Sequence, residues 1–261
     1  MDIASLFSVS NKTFVITGGA TGIGLMAAEG LVVNGANVYI TSRNEENLKR
    51  ESERLTASGP GKCQYVVCDL LEYDQVEALA REIARLEPNG IHVLINNAVL
   101  VTPKPFIELT ESDMVRDITI TLQRPLTLVQ KFLPLLLKTA TDDDPARVIN
   151  VTSISAVTNL PITNTLYPSC KAGLAHMTRD LAQKLAPYNV NVNAFAPGVF
   201  VSKLHEQQDE RYKKTVKSAI LLKRLGNKAD VASAIIYLSS TAGAYVTGTT
   251  MLVDGGMFVR P

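Results

Sequence analysis

The sequence predicts an α/β fold, a doubly wound sheet of seven parallel strands with helices on both faces. Three observations carry that expectation. Short apolar runs alternate with stretches of helical period along the whole chain, the pattern of parallel strands joined by crossover helices. A glycine-rich turn, Thr17-Gly-Gly-Ala-Thr-Gly-Ile-Gly24, stands between the first strand and the first helix. The 261 residues are 46% hydrophobic, enough for one large core, and no low-complexity linker divides them. Residues 1–261 are therefore read as a single domain.

The elements follow in order. Phe14–Thr17 is a buried strand, and Gly22–Asn34 a helix ending near Gly35. Asn37–Thr41 is the next strand, followed by a charged helix from Asn44 to about Ser58. Gln64–Cys68 and His92–Asn96 are short apolar strands flanking an amphipathic helix at about Asp74–Leu86. A long helical pattern covers Glu111–Lys138. Arg147–Thr152 is a strand, Leu166–Ala186 a helix and Asn191–Ala196 a strand. Lys228–Ser239 reads as a helix and Thr250–Val253 as the last strand. The acidic run Thr141-Asp-Asp-Asp-Pro145 is a surface loop.

Composition excludes several functions. The net charge is +1 with no Lys/Arg run, which argues against a nucleic-acid partner. The start of the chain lacks a basic stretch followed by an apolar one, and apolar stretches such as Leu133–Leu137 are too short to span a bilayer. Three cysteines without a CxxC pair argue against a disulfide framework or a zinc site and fit a reducing cytoplasm. His92, His176 and His205 form no metal-ligand spacing.

Two motifs carry chemistry. In the turn, glycines let the backbone approach a pyrophosphate, and the helix start supplies positive potential. In Tyr167-Pro-Ser-Cys-Lys171, a phenol and an ammonium stand one helical turn apart and point the same way. A phenol titrates near ~10, and a nearby cation lowers that value. Cys170, inside the motif, reads as a small buried residue.

The spacing Gly-x-x-x-Gly-x-Gly resembles that of the short-chain dehydrogenases/reductases, and the likeness extends over nearly the whole length. Asp69-Leu70 resembles the family's adenine-contacting pair, and Asn96-Asn-Ala98 its Asn-Asn-Ala-Gly segment. Ser153, Tyr167 and Lys171 match the catalytic serine, tyrosine and lysine. Pro197-Gly198 matches the loop over the nicotinamide, with Val199 and Ser202 following it. Asp254-Gly-Gly256 matches the C-terminal signature. The opening Ala4-Ser-Leu-Phe-Ser-Val9 and the Ser42-Arg43 pair resemble the 3-oxoacyl-carrier-protein and rhamnolipid-type reductases of fungi and bacteria.

The resemblance implies a Rossmann fold and an oxidoreductase that reduces a ketone to a secondary alcohol. Tyr167 would donate the proton, Lys171 would tune it and hold the nicotinamide ribose, and Ser153 would orient the carbonyl. Gly18, Thr21, Gly22, Ile23, Gly24, Ser42, Arg43, Asp69, Leu70, Asn96, Ala98, Pro197, Gly198, Val199 and Ser202 would contact the cofactor. It further implies a homotetramer or homodimer, built on the long helices and the C-terminal strand.

The end of the second strand decides between NAD and NADP(H). An acid there would repel a 2′-phosphate, and this chain has Thr41-Ser-Arg-Asn44 instead. Arg43 can pair with the phosphate and Ser42 can donate to it, so NADP(H) is expected. The bland alternative has Ser42 capping the next helix, Glu45 completing a capping box and Arg43 solvated.

Two residues depart from the family pattern. Thr121 stands where an asparagine usually holds a relay water behind the lysine, and Val99 where a glycine follows Asn-Asn-Ala. These leave open a catalytically impaired nucleotide-binding or scaffolding homologue, beside an NAD-dependent alcohol dehydrogenase. The substrate cover is expected at about 199–222, with Leu204, His205, Tyr212 and Val216 as candidate lining. An ordinary amphipathic helix explains those four equally well. Val99–Phe106 and Ala156–Thr165, with Pro103, Pro105, Leu160 and Pro161, are rather apolar and suit a small lipophilic carbonyl substrate.

Overall fold

The computed structural model describes residues 2–159, 164–201 and 209–259. Its strands are β1 (Thr13–Thr17), β2 (Asn37–Ser42), β3 (Lys62–Val67), β4 (Val93–Asn96), β5 (Ala146–Val151), β6 (Val190–Pro197) and β7 (Thr250–Val253). They form one sheet in the order β3-β2-β1-β4-β5-β6-β7, parallel at every pairing. Every residue of β1, β4, β5 and β6 is buried. Helices cover both faces of the centre, so β1 and β4 read as near-continuous apolar runs, while β5 and β6 bury Arg147, Asn150, Asn191 and Asn193 among their apolar residues.

The helices are α1 (Ile3–Leu6), α2 (Gly22–Val33), α3 (Glu45–Thr56), α4 (Tyr73–Leu86), α5 (Glu111–Ile118), α6 (Arg124–Leu136), α7 (Leu166–Leu185), α8 (Glu210–Ala219) and α9 (Lys228–Ser239). On one face, Leu31 of α2, Leu48 and Leu55 of α3 and Ile235 of α9 pack on Phe14, Ile16 and Ile40. On the other, Leu79 and Ile83 of α4, Phe132 of α6 and Leu181 of α7 pack on Val15, Leu94 and Val148. Close approach of α2 to α9 requires Gly30, because a Cβ there would lie 2.3 Å from the Ala232 Cβ.

The long helix expected over Glu111–Lys138 is broken. A π turn, Thr119–Gln123, separates α5 from α6. Pro125 has no N–H for the Thr121 carbonyl and would clash with it in an unbroken α-helix. The chain widens instead, and the Arg124 N–H donates to the Thr119 carbonyl five residues back. The sequence also misplaced a cap: Asn44 begins α3 and accepts from the Asn47 N–H, while Ser42 is the last residue of β2.

Strand order reverses direction at β1 and β4. Such a switch point leaves a crevice at the carboxyl ends of the strands. The glycine turn ends β1 there, Asn97 and Ala98 follow β4, and Thr152 and Ser153 follow β5.

Candidate active site

A cleft of about 410 Å³ opens at that switch point. Its floor is tied together by Thr17 and Asn97. The Thr17 Oγ1 accepts from the backbone N–H groups of Asn97 and Ala98 at 3.0 and 3.1 Å. The Asn97 Nδ2 donates to the carbonyls of Thr17 and Gly18 at 2.9 and 3.0 Å. The glycines divide the remaining work. A Cβ on Gly24 would meet Gly18 O and Asn97 Nδ2 at 2.5 Å, so Gly24 allows the turn to pack on the strand end and does not line the cleft. Gly22 has φ +53° and open space where its Cβ would be, leaving room for a ligand over the helix start. Thr21, the N-cap of α2, makes no side-chain capping bond, and the first N–H groups of a helix lack intrahelical acceptors and favour an anion. Gly18, Thr21 and Ile23 line the cleft here as expected.

Ser42, Arg43, Asp69 and Leu70 line its far end, with Thr41 and Cys68. Because Asn44 does the capping, the Ser42 hydroxyl is not claimed by α3. An Arg43 Nη1 lies 3.9 Å from the Asp69 Oδ2, with 59% of the Arg43 side chain exposed. Such a pair is worth little and leaves the guanidinium able to turn to a stronger anion. The buried Thr41 Oγ1 has no partner among the described residues, so this end holds an unmet hydrogen-bond group. The loop 69–71 is held by buried Arg124, which donates to the carbonyls of Leu70 and Leu71.

Tyr167 and Lys171 line the opposite end, beside Thr152 and Pro197. Both stand in the first turns of α7, and Pro168 is tolerated because the first-turn N–H groups have no intrahelical acceptor. The Lys171 Nζ donates to the Val151 carbonyl at 2.6 Å and lies 5.8 Å from the Tyr167 ring centroid. Burial lowers the Lys171 ammonium to about 8. For Tyr167 burial dominates and raises the phenol, and a hydrogen bond with Ser153 offsets part of that rise. The downward shift anticipated from Lys171 is thus reversed, because loss of solvent around the phenolate outweighs a cation that donates to a carbonyl. Ser153 also accepts from the Ser155 N–H at 3.1 Å. Cys170 is buried and its thiol is pushed up, which suits a packing residue.

Several expected contacts fall elsewhere. Asn96 is buried with its amide on Asn150 Oδ1 at 2.9 Å. Its neighbour Asn97 faces the cleft with Ala98, since successive strand residues point to opposite faces. Thr121 does not line the cleft. Its hydroxyl donates to the Leu100 carbonyl at 3.2 Å and accepts from the Leu100 N–H at 3.5 Å; Ile120 lines the wall instead. Gly198 packs on Asp254, whose Cα a Cβ would approach to 2.7 Å, and Val199 lines a second cleft. Val99 lines the main cleft and lies outside the left-handed backbone region, so it needs no glycine-like geometry. Ser202, Leu204 and His205, like Leu160 and Pro161, lie outside the described residues. Sequence reasoning passed over Thr17, Thr41, Asn97 and Arg124. Arg124, the one charged residue between Leu122 and Leu128, was the visible signal among them.

A glycine turn at a switch point, with a tyrosine and a lysine one turn apart at the other end of the crevice, defines a dinucleotide-dependent oxidoreductase site. The comparisons with known proteins agree. The family model for enoyl-(acyl carrier protein) reductases matches residues 18–258. The rhamnolipid-biosynthesis 3-oxoacyl-(acyl-carrier-protein) reductase of Pseudomonas aeruginosa is 32% identical over 252 residues, 96% of this chain and 97% of that one. The 3-oxoacyl-(acyl-carrier-protein) reductase of Aquifex aeolicus is 32% identical over 251 residues, 96% of this chain and 98% of that one. Among solved structures, the Pseudomonas aeruginosa RhlG/NADP active-site complex superposes with a TM-score of 0.92 at 31% identity, covering 97% of this chain and 99% of that one. The chain belongs to the short-chain dehydrogenase/reductase family of oxidoreductases.

Proposed function

We propose that this protein is an NADP(H)-dependent ketoreductase that converts a small, lipophilic ketone to a secondary alcohol. The observation that carries the reading is one cleft with the glycine turn and Arg43 at one end and Tyr167 and Lys171 at the other. The residues fit the cofactor: Gly22 leaves space for the pyrophosphate, Thr41 offers an unpartnered hydroxyl, and Ser42 and Arg43 suit a 2′-phosphate. NADPH, when bound, supplies the hydride. Ser153 donates to the carbonyl oxygen and polarises it. Tyr167, held in its neutral form by burial, gives its proton to the oxygen as charge develops. Lys171 remains cationic at neutral pH and stabilises the resulting phenolate.

The apolar wall made by Val99, Leu100 and Ile120 favours a 3-oxoacyl chain over a sugar. The names of the Pseudomonas and Aquifex relatives point the same way. Segment 199–222 is read as the substrate cover. Exposed Val115, Ile118 and Leu126 on α5 and α6 suit a homo-oligomeric contact, as a dimer or tetramer. Among the described residues no helix is long and apolar enough to cross a membrane, and we read the protein as cytoplasmic.

The test is consumption of NADPH and NADH against 3-oxoacyl thioesters, simple ketones and keto-sugars, with cofactor binding measured alongside. Turnover of 3-oxoacyl thioesters with NADPH is the expected result; binding without turnover across the panel overturns the reading. Arg43→Asp should raise the KM for NADPH by about 10- to 100-fold, the size of a lost charge-assisted bond, and leave that for NADH nearly unchanged. Equal effects on the two cofactors would remove Arg43 from the 2′-phosphate site.

A further inference from the structure

Asp117 has no place in the site as described so far, yet it is buried, with 2% of its surface exposed, in the last turn of α5. Among the described residues no basic side chain lies within ion-pair distance of it. Its carboxylate accepts from the Thr102 N–H at 2.9 Å, the Thr102 hydroxyl at 3.0 Å and the Asn164 Nδ2 at 3.3 Å. A carboxylate withdrawn from water with only neutral donors is an expensive way to fill a core position. An apolar residue would do it better, so the position of the donors matters.

Those donors join two parts of the active site. Thr102 follows Val99 and Leu100, which line the cleft, and Thr121 fixes Leu100 by its backbone. Asn164, also 2% exposed, donates to the Thr102 carbonyl at 2.7 Å. Its Oδ1 accepts from the N–H groups of Leu166 and Tyr167 at 2.8 and 3.3 Å. Thr165, at the formal start of α7, makes no side-chain cap bond, so Asn164 is the residue that holds the first turn of the tyrosine's helix. One carboxylate therefore holds Thr102, two residues beyond the cleft-lining Leu100, and, through one amide, the backbone of Tyr167.

We infer that Asp117, acting through Asn164 and Thr102, is a positioning residue that fixes Tyr167 relative to the wall against which the carbonyl substrate lies. The inference rests on Tyr167 serving as the proton donor. Displacing a reacting group by about 1 Å can lower a rate 100-fold, and among the described residues Asn164 is the side chain that accepts from the first N–H groups of α7.

The experiment uses the full chain with 13C-labelled tyrosine, the Tyr167 ring signal being identified by its loss in Tyr167→Phe. Asp117→Ala, Asn164→Ala, Asn164→Asp and the exchange Asp117→Asn/Asn164→Asp are compared. The readouts are the Tyr167 signal, NADPH affinity by fluorescence and reduction of acetoacetyl-coenzyme A. Expected are a displaced Tyr167 signal and a kcat lowered about 10- to 100-fold in Asp117→Ala and Asn164→Ala, at unchanged NADPH affinity. Asn164→Asp opposes two carboxylates and should be at least as impaired. The exchange variant restores a donor–acceptor pair in the reverse sense but sets a carboxylate against the Thr102 carbonyl, so it should improve on Asn164→Asp in signal and rate without reaching wild type. An unmoved Tyr167 signal with unchanged kcat in folded Asp117→Ala overturns the inference. If Asp117→Ala does not fold, failure of the exchange to improve on Asn164→Asp overturns it equally. A displaced Tyr167 signal in a protein whose wild type reduces no carbonyl would uphold the positioning role and discard the proposed reaction.

Discussion

Tyr167→Phe should lower turnover by about 10²- to 10⁴-fold, the range for loss of a general acid, while NADPH affinity stays within experimental error. The ring that lines the cleft is retained, so cofactor contacts survive; only the hydroxyl is removed. Ser153 keeps its bonds with Ser155 and can still polarise the carbonyl, so the loss reports the missing proton donor. Steady-state rates with a 3-oxoacyl thioester, set beside a fluorescence titration with NADPH, give the answer. Turnover within a few-fold of wild type would mean that another group delivers the proton, and the reading of the Tyr167 end of the cleft would fall with it.

How much of this was legible beforehand depended on the range of the forces involved. The strands, the glycine turn and the Tyr167-Lys171 spacing are local patterns, and each element lies within a few residues of its expected place. The misread features are set by neighbours far along the chain. Which of Asn96 and Asn97 faces the cleft depends on the face β4 presents to β5, where Asn96 meets Asn150. Both Ser42 and Asn44 are good caps by type, and the length of the β2 pairing with β3, which runs through Ser42, decides between them. Pro125 was visible, but its consequence, a π turn that places Ile120 on the cleft and Thr121 on Leu100, required the packing of α5 and α6. The direction of the Tyr167 shift turned on burial, which a motif does not display.

Burial likewise sets up the second large effect, at Lys171. Lys171→Met should abolish most turnover yet make the ligand-free protein more stable relative to wild type at neutral pH than at high pH. Folding lowers the ammonium from its ordinary 10.5 to about 8. The folded state therefore disfavours the proton that the unfolded chain keeps. That penalty is fully present below about pH 8 and fades as pH rises towards 10.5, so this group makes wild-type stability climb across that window. Methionine carries no proton and lacks the dependence, although it also gives up the bond to the Val151 carbonyl. The difference in denaturation midpoint, variant minus wild type, should accordingly shrink from pH 7 to pH 10.5. Parallel curves would show that Lys171 is not depressed. The same depression has a kinetic counterpart: Tyr167 is raised while Lys171 sits near 8, so the first group to change charge on going alkaline is the lysine. The alkaline fall in kcat/KM for carbonyl reduction should then begin near pH 8, through loss of the cation that stabilises the phenolate. A buried lysine here is a stability liability that the reaction requires, which is why its removal moves rate and midpoint in opposite directions.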